Sequence, residues 1–74
     1  MPRFNFDLVG PRPVPDRQGM IFQDCHVAGR FAQELAADIG FVRPDLCGRA
    51  SVVMTDEHRH SITYCVAISS AVRH

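Results

Sequence analysis

Polar and apolar residues alternate in Arg3-Phe4-Asn5-Phe6-Asp7-Leu8, which sets Phe4, Phe6 and Leu8 on one side of an extended chain and Arg3, Asn5 and Asp7 on the other. The alternation stops at Gly10, and Pro11, Pro13 and Pro15 follow at every second position. Proline has no amide hydrogen to give to a ladder, so this stretch is predicted to be a stiff connector. Its spacing would also suit a polyproline-reading groove, but a connector explains it without a partner. Gly19 then opens a short second strand, Met20–Gln23, expected to return antiparallel to the first.

The period changes after Asp24, whose carboxylate suits a helix N-cap. Ala28, Phe31, Ala32, Leu35 and Ile39 recur at helical spacing as one apolar stripe, with Arg30, Gln33, Glu34 and Ala37 on or near the opposite side. Gly40 suits a left-handed closing residue and Pro44 bars a restart, so the helix is predicted over 25–39. A connector over 41–49 leads to two β-rich runs, Ala50–Thr55 and Ser61–Ile68, joined by the polar tip Asp56-Glu57-His58-Arg59-His60. Ala50, Val52 and Met54 share a face, as do Ile62, Tyr64, Val66 and Ile68. The reading is an α+β domain, two β-hairpins flanking one α-helix (ββαββ), with the helix packed on one face of an antiparallel sheet.

Composition narrows the class without naming a function. A chain of 74 residues is one domain, 1–74, and at that length folding buries only about 60% of the unfolded surface. Eight arginines and eight acidic residues balance, and the arginines scatter along the chain, so no basic stripe for a duplex is visible and nucleic acid is a disfavoured partner. No leader-like or membrane-spanning apolar run occurs, which leads us to expect no membrane association. Cys25, Cys47 and Cys65 lack the paired spacing of a disulfide framework or a zinc site, which favours a reduced, cytoplasmic protein.

Several segments are similar in order and spacing to a family. Met1-Pro2-Arg3-Phe4-x-Phe6, Asp16-x-x-Gly19-x-x-Phe22-x-Asp24, the Ala-rich helix and Val53-x-Thr55-Asp56-Glu57 resemble a domain-of-unknown-function family of short rhizobia-like alphaproteobacterial proteins. The family opens with M-P-R-[YF]-x-F and carries a D-x-x-G-x-x-[LF]-x-D segment. The resemblance spans roughly residues 1–69, implies the same fold and compartment, and supplies no activity. Two departures stand out: the first loop is proline-rich, and Arg59 stands where relatives carry a turn glycine. Asp16, Gly19 and Asp24 match the family motif in roles that are most simply structural: turn, turn and cap.

Candidate chemistry is sparse. His58 and His60, two apart, could share a metal with Asp56 or Glu57, but structural zinc takes four ligands and the other candidates are remote in sequence. Cys25 at a helix start could be activated as a thiolate, yet His26 beside it points about 100° away on a helix. We therefore expect no catalytic, cofactor-binding or metal-binding residues and no cofactor, and lean against an enzyme. Phe4, Phe6 and Tyr64 fall on the helix side, leaving no aromatic platform for single-stranded RNA. The opposite face of the last hairpin, Ser51, Val53, Thr55, Thr63, Cys65 and Ala67, is small and mostly uncharged. It is the expected interaction face of a non-enzymatic module that self-associates as a homodimer or binds a small protein. The alternatives are a nucleic-acid-associated regulator, if distant arginines converge, and, further off, a small metal- or thiol-dependent enzyme.

Overall fold

In the computed structural model, which describes residues 2–58 and 62–69, the alternating start of the chain forms β1 (Arg3–Val9) and the proline loop leads to β2 (Met20–Ile21). The helix α1 (Cys25–Val42) and a 3₁₀ turn (Pro44–Leu46) follow, then β3 (Ser51–Asp56) and β4 (Ile62–Ala67). The strands form one antiparallel sheet in the order β2-β1-β3-β4, and the α+β fold with a helix on one face is the arrangement expected. β1 pairs with β3 along its length, from Phe4 opposite Asp56 to Val9 opposite Ser51. Phe4, Phe6, Val52 and Met54 are buried on the helix side of these two central strands.

β2 is shorter than the sequence suggested, pairing only Arg3 with Ile21 and Phe4 with Met20. The proline loop supplies the rest of that edge. Val14, the one residue between Pro13 and Pro15, exchanges backbone hydrogen bonds with Leu8 (2.9 and 2.8 Å). Between Val14 and Met20 the ladder is taken over by a side chain. The Asp16 carboxylate accepts from the Phe6 amide at 3.1 Å and turns the chain by accepting from the Gln18 and Gly19 amides. Gly19 sits at φ +72°, a conformation that favours glycine.

Asp24 caps α1 as expected, its Oδ1 accepting from the Val27 amide at 3.0 Å. The helix does not stop at Ile39. It continues to Val42, and the Arg43 amide closes it by donating to the Ile39 carbonyl. Gly40 is thus an interior helical residue, not a left-handed terminus. Its need is proximity, because a Cβ there would collide with the Ser69 carbonyl. The buried line of the helix is Ala28, Ala32, Ala36 and Gly40, whereas Phe31, Leu35 and Ile39 are only partly buried. Small residues every fourth position let the helix backbone settle close to β3 and β4. The large side chains then project sideways over β1, where Phe31 meets Phe6 edge-on at 5.1 Å and Phe22 at 5.3 Å. A groove of about 660 Å³ remains between that row and the loop before β2.

The last hairpin contains one irregularity with a structural consequence. Met54 faces Tyr64, but Thr55 faces Ile62, so β4 carries one extra residue and bulges at Thr63. The Thr63 hydroxyl donates to the Met54 carbonyl at 3.0 Å, tying the bulge down. Beyond the bulge parity reverses. Ile62, expected on the helix side, shares the open face with Thr55 and is 66% exposed. Tyr64, Val66 and Ile68 keep the expected side.

Candidate interaction edge and face

The six residues singled out from the sequence do lie together on the last hairpin. Ser51, Val53 and Thr55 come from β3, Cys65 and Ala67 stand opposite Val53 and Ser51 on β4, and Thr63 occupies the bulge. Among the described residues no helix covers the face of the other five, whereas Thr63, expected there too, lines a cleft with Cys25, His26 and Gly29 of α1 because the bulge breaks the alternation. The register adds Ile62 through the bulge, Val9 opposite Ser51, and Ile21 opposite Arg3, all exposed. A strict alternation pattern could not have placed Ile62 there. The centre of the face is more closed than its rim: Asn5 and Thr55, directly opposed on β1 and β3, are each only 7% exposed. The Asn5 amide donates to the Asp56 carbonyl, while the Thr55 hydroxyl has no partner among the described residues.

Beside this face runs an open edge. The Ile68 amide donates inward to the Ala50 carbonyl at 2.9 Å. Residues of an antiparallel strand turn their backbone groups inward and outward alternately, so Val66 and Tyr64 also bond inward to β3. Cys65 and Ala67 then present N–H and C=O to the outside. Among the described residues no strand pairs with that side of β4. The strand reads Ile-Thr-Tyr-Cys-Val-Ala, with neither charge nor proline. Tyr64 is fixed from above, its hydroxyl accepting from the Gln33 amide at 2.6 Å.

The other sequence candidates do not converge. Cys25 and His26 are exposed at the start of α1, Cys47 is partly buried with its thiol against the Gly40 carbonyl at 4.0 Å, and Cys65 lies on the open face. His58 sits in the hairpin turn with its Nε2 3.3 Å from Glu57, and His60 lies outside the described residues. Among the described residues no group of three or more His, Cys, Asp or Glu side chains could hold a metal ion, and no helix is long and apolar enough to cross a membrane.

Arg12 does come together with two arginines distant from it in sequence, Arg43 and Arg49. Arg12 from the proline loop, Arg43 from the end of α1 and Arg49 from the segment before β3 line a cleft of about 290 Å³. Its one carboxylate among the described residues, Asp45, is gripped by Arg43 through Nε at 3.1 Å and Nη2 at 3.0 Å. That hydrogen-bonded pairing raises the Arg43 pKa and holds the Asp45 carboxyl below the usual carboxylate range, with the charge of Arg49 adding to the latter. Composition alone hid this convergence, because Arg12 belongs to the proline loop and Arg43 and Arg49 to the connector after the helix.

No family model matches the chain, and neither a curated protein nor a solved structure does.

Proposed function

We propose that the chain is a non-enzymatic, cytoplasmic interaction module that pairs with a second copy of itself through β4. Two β4 strands related by a two-fold axis would run antiparallel and join the two sheets into one. The observation that carries this reading is the contrast between the edges: β2 is two residues long and follows a loop with three prolines, whereas β4 is six residues long and uncharged. Long uncharged edges attract another strand unless something blocks them.

Sedimentation over a concentration series tests it. The wild-type protein is expected to be dimeric at high micromolar concentration. Cys65→Pro should be monomeric with an unchanged circular dichroism spectrum, since that amide points away from β3 and the inner ladder does not use it. Val53→Glu, a charge on the open face but one strand in from the edge, should leave the dimer in place. A monomeric wild type sinks the proposal. A dimer that survives Cys65→Pro but not Val53→Glu moves the contact from the edge to the face.

A further inference from the structure

The arginine cleft is built differently from the open hairpin and belongs to neither the edge nor the open face. Among the described residues that line it, three are cationic and one is anionic, in a chain whose formal charge is zero. Asp45 has both oxygens turned to Arg43, so Arg12 and Arg49 supply positive charge that this carboxylate does not take up by hydrogen bonding. The rest of the lining is apolar: Leu8, Val14, Leu46 and Ala50 among others. Its walls are also stiff. Pro11 lies in one and the 3₁₀ turn begun by Pro44 follows Arg43 in the other. Gly10 packs so closely on Ala50 that a Cβ would come within 2.8 Å of the Ala50 Cβ.

A pre-formed concavity with an apolar lining and a few convergent polar groups is the usual make-up of a small-molecule site. We infer that this cleft binds a small amphiphilic anion, with its apolar body against Leu8, Val14 and Leu46 and its acidic head between Arg12 and Arg49. The head is a carboxylate or a phosphate monoester, since guanidinium matches both in a two-pronged geometry. At about 30 Å³ for each water-sized group, a cleft of about 290 Å³ holds a body on the order of eight carbons plus its head. A nucleic-acid backbone fits less well, because it needs cations spread along a track, not three gathered around a hollow.

Titration of the full chain at low ionic strength, followed by calorimetry and by amide chemical shifts, decides the matter. Octanoate and octyl phosphate are the probes, with 1-octanol as the neutral control. Saturable one-to-one binding of at least one acid is expected, with shifts at Leu8, Val14 and Arg49 and no comparable binding of the alcohol. Which acid binds more tightly identifies the head group. The double variant Arg12→Gln/Arg49→Gln should weaken binding tenfold or more, as should Val14→Glu, which sets a negative charge in the lining without touching the backbone bonds to Leu8. Arg17→Gln, outside the cleft, should bind as wild type does. The inference is overturned if neither acid saturates in the millimolar range, if octanol binds as well as the acids, or if the double variant keeps full affinity. Tighter binding of single-stranded oligothymidylate, collapsing with salt, would also overturn it in favour of a polyanion surface.

Discussion

The two edges of the sheet are exposed to the same hazard and are built in opposite ways. On the β2 side, three prolines, a two-residue strand and the Asp16 carboxylate leave little for another strand to pair with. On the β4 side, six uncharged residues run with no strand paired to their outer side among the described residues. The interior follows the same division. Phe4, Phe6, Phe22 and Phe31 cluster under the guarded side, with ring centroids 5.1–6.5 Å apart. The β4 side instead receives a line of alanines and Gly40. One half thus carries aromatic packing and a closed rim, and the other close backbone approach over the buried Met54 and Ile68 and a rim that no described strand covers. A domain that needed only to be a stable monomer would gain from closing both rims.

If stability is concentrated on the guarded side, truncations there should cost more. Phe31→Ala is expected to lose about 3 kcal/mol, at the lower end for an aromatic because the ring is only partly buried. Val66→Ala on β4, also partly buried, should lose about 1 kcal/mol. Urea melts at low micromolar concentration measure both, and equal losses would break the comparison. Asp16→Ala attacks the guarded rim itself. It strips the acceptor from the amides of Phe6, Gln18 and Gly19 and should cost about 2 kcal/mol. The variant should also form species larger than a dimer in sedimentation, because the second edge is then open. A loss of stability without further association would show that the prolines guard that rim unaided.

Much of this division was legible in the chain. Alternation in 3–8 fixed the buried side of β1, the proline spacing marked a connector, and Asp24 marked the start of the helix. The helix stripe was legible in part: it included Ala28 and Ala32, which are buried, and missed Ala36 and Gly40, because an apolar stripe is weighted by its largest members. Phe31, Leu35 and Ile39 do pack against the core but stay partly buried, while the fully buried line is the small residues Ala28, Ala32, Ala36 and Gly40. The four-residue spacing of Ala28, Ala32, Ala36 and Gly40 was the available signal for a close approach. The reversal of Ile62 left no such trace, since a bulge adds a residue without altering composition or propensity. The arginine cleft was illegible for a different reason: its members meet only once the sheet order brings the proline loop beside the end of the helix.

The smallest expected effect addresses whether the open face, as well as the open edge, is covered in the native assembly. Thr55 is 7% exposed and its hydroxyl has no hydrogen-bond partner among the described residues. A buried hydroxyl without a partner is destabilising relative to a methyl of the same shape. Thr55→Val should therefore be neutral or should stabilise the chain by about 1 kcal/mol or less, whether measured as a dilute monomer or as a concentrated dimer. That result fits pairing through β4, which leaves the middle of the face as it stands in one copy. A partner seated on the face would instead give the hydroxyl something to bond. Thr55→Val would then lose about 1 kcal/mol or more in the associated state alone, and the dimer would dissociate at higher concentration than wild type. Melts at two protein concentrations separate these outcomes, because a cost that appears only in the associated state must arise in the contact between copies.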